Sequence, residues 1–111
     1  MDFLDKRIED YSQIFSDREP SLLKEIHDYT LQNIPQPRML SGHLQGRFLS
    51  MISKIKRPKK ILEIGTYTGY SALCMAEGLD EKGELITIAV SYTHLRAHET
   101  DSYLVCRLLL E

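Results

Sequence analysis

The chain has 111 residues, 42% hydrophobic and 27% charged, with a formal net charge of -2; this is the composition of a globular protein, and the length allows one domain. So small a charge gives no pull towards nucleic acid or an acidic membrane surface, and no apolar run approaches the ~20 residues of a transmembrane helix. The two cysteines, Cys74 and Cys106, form neither a CxxC nor a metal spacing, and the N-terminus lacks the basic-then-apolar order of a secretory signal, so a reducing, cytoplasmic setting is expected.

Leu4, Ile8, Tyr11 and Phe15 recur at helical spacing, which predicts an amphipathic helix over 3–15. Pro20 suits the start of a second helix, with Leu22, Leu23, Ile26 and Thr30 as its apolar stripe. That helix ends before Pro35 and Pro37, because a residue preceding proline is pushed out of the α region. Residues 36–40 are then expected to be extended, with Ser41 as the N-cap of a third helix. Leu44, Phe48, Met51, Ile52 and Ile55 form the predicted buried stripe of that helix, and Pro58 closes it. Lys54, Lys56, Arg57, Lys59 and Lys60 read as its solvated basic end, favoured by the helix dipole. His43 reads as structural or exposed, and Cys74 as core.

Ile61–Ile64 is a short apolar strand, Ser71–Leu79 a helix, Glu81–Gly83 a turn and Leu85–Ile88 a second strand. Strand, short helix, strand is a βαβ unit with parallel strands and a right-handed crossover. Ile61, Leu62 and Ile64 fit a strand buried on both faces. Two strands alone leave open edges and one sheet face poorly covered.

The chemistry concentrates between the strand and the helix. Glu63 interrupts the apolar run near the strand's carboxyl end, where open α/β sheets bind their ligands. Gly65 and Gly69 let the backbone take positive φ and approach a ligand closely. Ser71 offers a hydroxyl, and Tyr67 and Tyr70 offer rings to shield or stack on the ligand. A carboxylate at this place suits a ligand that carries cationic groups better than a pyrophosphate. S-adenosylmethionine, with its ammonium and sulfonium, has that character. The dinucleotide fingerprint is Gly-x-Gly-x-x-Gly with an acid about 20 residues on. Here the spacing is Gly-x-x-x-Gly with Glu63 ahead of it, and no Gly-Lys-Ser/Thr follows to make a P-loop. A strand–turn–helix without a ligand, with Glu63 as a structural carboxylate, is the plainer alternative.

The segment Leu62-Glu-Ile-Gly-Thr-Tyr-Thr-Gly-Tyr-Ser71, with Arg38-Met-Leu-Ser-Gly-His-Leu-Gln-Gly-Arg-Phe-Leu49 upstream, resembles the class I S-adenosylmethionine-dependent O-methyltransferases. This is the group of the catechol and caffeoyl-CoA enzymes and their bacterial relatives. The likeness covers about residues 1–88, the N-terminal part of such a domain. It implies an α/β fold: N-terminal helices plus the first βαβ unit of a Rossmann-like methyltransferase domain, truncated. It implies cofactor contacts at Glu63, Gly65, Tyr67, Tyr70 and Ser71, and backbone contacts from Met39, Leu40 and Ser41. Gly69 completes the turn. It also implies O-methylation of a small phenolic or catechol-type hydroxyl, and a homodimer when full length. The relatives' divalent cation, Mg or Ca, would be held by later acidic and amide residues that this chain lacks. The acid that binds the cofactor ribose follows the second strand in the family; here that position is Ala89. A nicotinamide-dependent oxidoreductase fragment and a non-catalytic helical interaction fragment stand as alternatives.

After Ile88 the character of the chain changes. Val90–Thr100 and Leu104–Glu111 resemble one translated frame of a transposase-type sequencing adapter, and Asp101 and Ser102 fall between them, where a variable index would be read. The expected organisation is therefore a helical segment at 1–58, the βαβ unit with the cofactor motif at 59–88, and a non-native tail at 89–111. The chain as written is expected to be inactive. The opposing reading is a genuine helix over 95–110 with His94 and His98 as ligands.

Overall fold

The computed structural model describes residues 4–90 and 103–109, with side chains over 4–89. Helix α1 spans Lys6–Ile14, α2 Ser21–Asn33 and α3 Gly42–Lys56, with a single 3-10 turn at Pro37–Met39 before α3. Strand β1 (Lys60–Ile64), helix α4 (Tyr70–Ala76) and strand β2 (Glu84–Val90) follow, and β3 covers Tyr103–Leu109. The sheet order is β1-β2-β3. β1 and β2 are parallel, from Lys60 opposite Glu84 to Ile64 opposite Ile88, so α4 is the crossover of the expected βαβ unit.

Local chemistry sets the helix limits. The Asp5 carboxylate caps α1 by accepting from the Arg7 N–H at 2.9 Å. Pro20 occupies the N-cap of α2, and the chain turns extended at Ile34, before Pro35. Arg57 ends α3 in the left-handed region, φ 49°, immediately before Pro58. Residues 36–40 are not extended throughout, as the prolines suggested. Gln36 is left-handed, φ 60°, and Pro37 starts a 3-10 turn, a place its fixed φ tolerates. Ser41 does stand at the N-cap of α3, but its backbone is already helical and its side chain makes no capping bond.

α4 lies between two layers. Ala72 and Ala76 join Leu79 and Leu85 in one core cluster, with Ile61 and Met75 against it. Tyr70 and Cys74, on the other side of α4, join Leu23, with Ile26, Leu40, Leu49 and Leu73 around them. Cys74 is therefore core, as expected, and burial pushes its thiol above the usual range.

The third helix overturns its predicted stripe. Phe48, Met51, Ile52 and Ile55 are exposed, Ile55 by 77%. The buried face carries Gly46, Ser50 and Ser53 instead. The reason is the closeness of α4. A Cβ on Gly46 would stand 2.7 Å from Tyr70 Cε1 and 2.8 Å from Cys74 Sγ. One on Gly78 would stand 2.2 Å from the Ser53 carbonyl carbon. Large side chains have no room there, and hydroxyls have partners: Ser53 Oγ donates to the Met75 carbonyl at 2.5 Å and Ser50 Oγ to Glu77 Oε1 at 3.3 Å. Arg47 grips the same carboxylate with both terminal nitrogens, at 3.0 and 2.5 Å.

β1 also departs from expectation. Leu62 and Ile64 are 66% and 77% exposed, because α4 packs only against the Ile61 side of the sheet. The open face anticipated for so small a sheet is this one. The helix suggested over 95–110 lies outside the described residues except at 103–109, which form β3, antiparallel to β2.

Two predictions follow from the α3–α4 contact. Gly78→Ala meets backbone rather than a movable side chain, so it should cost about 2–3 kcal/mol in urea unfolding. The Arg47 guanidinium holds the Glu77 carboxyl below the usual carboxylate range. A carboxyl depressed in the folded state stabilises above its unfolded value, about 4.3, and loses that contribution as pH falls through the folded one. Glu77→Gln should therefore be less stable than wild type by about 1–2 kcal/mol at pH 7, and unfolding curves of the two should converge at about pH 3.

Candidate functional site

The site is built at the carboxyl ends of β1 and β2. Glu63 points to the same side of the sheet as Ile61, and the strand register sets it opposite Thr87. Thr87 Oγ1 donates to Glu63 Oε1 at 2.7 Å, and the Ser71 hydroxyl donates to Oε2. Thr66 and Thr87 share a further hydroxyl bond at 2.6 Å. Beyond β1 the chain stays tied to β2, since the N–H groups of Gly65 and Thr66 both donate to the Ile88 carbonyl, at 2.8 and 3.1 Å. The turn closes with Gly69 N–H on the Thr66 carbonyl at 2.9 Å.

Its backbone explains the residue choice. Gly65 has φ 101° and Gly69 φ 87°, and a Cβ built on either would meet nothing within 4 Å. The turn is bare and open beside both glycines. Tyr67 is left-handed without being glycine, φ 54°. Its hydroxyl donates to the carbonyl of Gln36 at 2.9 Å, which fixes the loop before α3 against the turn.

The sequence-derived residues divide as follows. Glu63, Gly65, Tyr67, Gly69 and Ser71 come together at the turn. Met39 is exposed and Ser41 half-buried in the loop that Tyr67 fixes, whereas Leu40 packs into the Tyr70–Cys74 cluster. Tyr70 corrects the expectation of a ring stacked over the ligand. It is 2% exposed, and its hydroxyl donates to Glu19 Oε2. Burial and the Glu19 carboxylate hold its phenol well above the usual range, so it stays protonated. Ala89 lies inside β2, which runs to Val90. His43 is structural, its Nε2 2.5 Å from the Asp17 carbonyl.

Three participants escaped the sequence reading: Thr66, Thr87 and Glu19. Thr87 was within reach, because aligning Ile61–Ile64 on Leu85–Ile88 in parallel sets Glu63 beside it. Nothing in the local sequence marks Glu19, which is 51 residues from Tyr70. Among the described residues no group of three or more His, Cys, Asp or Glu gathers as a metal site.

An acid and an open glycine turn stand at the carboxyl ends of parallel strands, the place where doubly wound α/β folds bind their ligands. The O-methyltransferase family profile matches residues 12–99, and the chain belongs to that family. It is 38% identical over 74 residues to caffeoyl-CoA O-methyltransferase 1 of Zea mays and to that of Arabidopsis thaliana, which covers 67% of this chain and 28% of each relative. Among solved structures it resembles the SAH-bound methyltransferase PaMTH1 of Podospora anserina, with TM-score 0.73 and 35% identity over 85% of this chain and 41% of that one. The O-methyltransferase of Bacillus cereus in complex with SAH gives TM-score 0.68 and 29% identity, over 84% of this chain and 42% of that one. The chain thus spans less than half the length of these relatives. The fold is accordingly the N-terminal helices and first βαβ unit of a Rossmann-like domain. The nicotinamide and helical-interaction alternatives give way to the family match.

Proposed function

We propose that this chain carries the cofactor-binding part of an S-adenosylmethionine-dependent O-methyltransferase acting on a small phenolic or catechol-type hydroxyl. The observation that carries this reading is the open glycine turn beside Glu63. The bare backbone at Gly65 and Gly69 leaves room for a ligand. Glu63, held by Ser71 and Thr87, offers a fixed negative charge to a cationic one. The SAH named in both structural neighbours supports the choice of ligand.

On this reading Glu63, Gly65, Tyr67, Gly69 and Ser71 line the cofactor site. Met39, Leu40 and Ser41 contribute through their backbone from the loop before α3. Tyr70 contributes through its backbone alone, since its ring is buried. When bound, S-adenosylmethionine supplies the methyl group. Its transfer to an acceptor oxygen would leave S-adenosylhomocysteine (SAH). The described residues offer no ligand set for the family's divalent cation, so none is assigned to it here. An acceptor pocket, a divalent cation and a homodimer are proposed for the full-length enzyme; this chain spans 41% and 42% of its two structural neighbours.

Residues 89–111 are further proposed to be foreign to the native gene. The adapter-like sequence supports this, and so does the pairing of β3. A doubly wound sheet brings its third strand beside the second in parallel, whereas β3 is antiparallel. The family match to residue 99 weighs the other way. The uninterrupted coding sequence decides: it should leave Ser-Tyr-Thr-His behind after about residue 90, and a gene that continues with those residues ends the proposal.

Calorimetric titration with SAH tests the cofactor reading. Wild type should bind, and Glu63→Gln, which removes charge and keeps shape, should weaken binding about tenfold. Gly65→Val, strained at φ 101°, should abolish it while circular dichroism still reports folded helices. No binding by wild type, or equal binding by all three, would sink the assignment.

A further inference from the structure

The segment preceding α3 touches the cofactor turn at three separate points. Before α2, Glu19 accepts a hydrogen bond from the Tyr70 hydroxyl. Within α2, fully buried Thr30 gives its hydroxyl proton to the Ile26 carbonyl at 2.6 Å and shares a hydroxyl–hydroxyl bond with Thr68 Oγ1 at 3.1 Å. After α2, the Gln36 carbonyl accepts from the Tyr67 hydroxyl at 2.9 Å. Tyr67 and Thr68 lie in the turn that leads into α4, and Tyr70 is the first residue of α4 itself.

Glu19 carries the most chemistry of the three. Its side chain is only 13% exposed, and the same Oε2 that accepts from Tyr70 lies 3.2 Å from His27 Nδ1. His27 stands edge-on to the Tyr70 ring, with centroids 6.3 Å apart. A buried carboxylate is tolerated only where donors meet it, and these two donors come from different helices. Glu19 therefore joins α2 to the first residue of α4. The next residue, Ser71, donates to Glu63. Two adjacent residues at the start of α4 are thus held by two carboxylates, one from the N-terminal segment and one from β1.

We propose that Glu19 is a positioning residue for the cofactor turn: by holding Tyr70 it fixes where α4 begins, and so where Ser71 holds the Glu63 carboxylate. Glu19 touches no ligand. Its effect reaches the cofactor through Tyr70, Ser71 and Glu63. The inference rests on the cofactor reading above, and the chemistry requires only an acceptor at Glu19, charged or neutral.

The test is SAH titration of the full chain and four variants. Glu19→Ala should weaken binding about tenfold, and Glu19→Gln, which keeps an acceptor oxygen, should restore most of it. Tyr70→Phe should match Glu19→Ala, and the double variant Glu19→Ala/Tyr70→Phe should lose no more than either, the mark of one shared interaction. Unchanged binding by Glu19→Ala, or additive losses in the double variant, overturns the inference. If Glu19→Ala does not fold, Tyr70→Phe decides alone, since it removes one hydroxyl. Absence of SAH binding by wild type would defeat the cofactor reading and leave positioning to be read from amide chemical shifts of Gly69 and Ser71. Shifts that move in Glu19→Ala and return in Glu19→Gln support the positioning role, and shifts that stay put overturn it.

Discussion

Everything in this molecule meets at α4, and α4 holds its place only because α3 can come close to it. The helix is seven residues long, with Tyr70, Ala72, Cys74 and Ala76 buried. Isolated helices so short are unstable in water, so its stability comes from its neighbours. Gly46 and Gly78 set the approach, at a distance where a methyl group on either would collide. The alanines face the sheet and the larger Tyr70 and Cys74 face the helices. A short helix with a small face on each side can be clasped by both layers. The Arg47–Glu77 pair fastens the contact just past the C-terminal end of α4.

That closeness explains which parts of the fold were legible. The βαβ unit was readable because its signals are local: apolar runs of strand length, a glycine turn and a second apolar run. The ends of α2 were readable from proline, which acts on its own neighbours. The buried face of α3 was not. Periodicity assigns burial to the most apolar stripe, and here that stripe, from Phe48 to Ile55, faces away from α4. What decides the buried face is steric room, together with carbonyl and carboxylate acceptors on a helix and its flank some 25 residues away. Glycine and serine at Gly46, Ser50 and Ser53 are weak signals in sequence, though they form a face at spacings of four and three.

The site divides in the same way. Glu63, Gly65 and Gly69 were marked by conformation and charge, which a short stretch displays by itself. Thr87 needed only the register of two strands already assigned. Tyr70 was misjudged, because an aromatic ring next to a ligand turn can face the ligand or the core. The choice between them depends on Glu19, a residue far away in the chain. Polar side chains that close a buried network lack the periodicity of core residues, so sequence pattern alone passes over them.

The arrangement of the sheet bears on what half a site can do. In doubly wound folds the ligand lies in the crevice where the strand order reverses, next to the first strand. Among the described residues β1 is an edge strand, so on the proposed reading this chain provides the β2 side of that crevice, and Leu62 and Ile64 leave the second face of the sheet bare. The turn, Glu63 and the clamp from α2 are nevertheless complete within the chain, because each of their bonds is made to residues between 19 and 88. Holding a cofactor's charged end asks for that local constellation alone. Aligning an acceptor oxygen with a methyl group asks for a second wall. On the proposed reading the two requirements separate along the chain, and the residues assigned to the first one come before β2 ends.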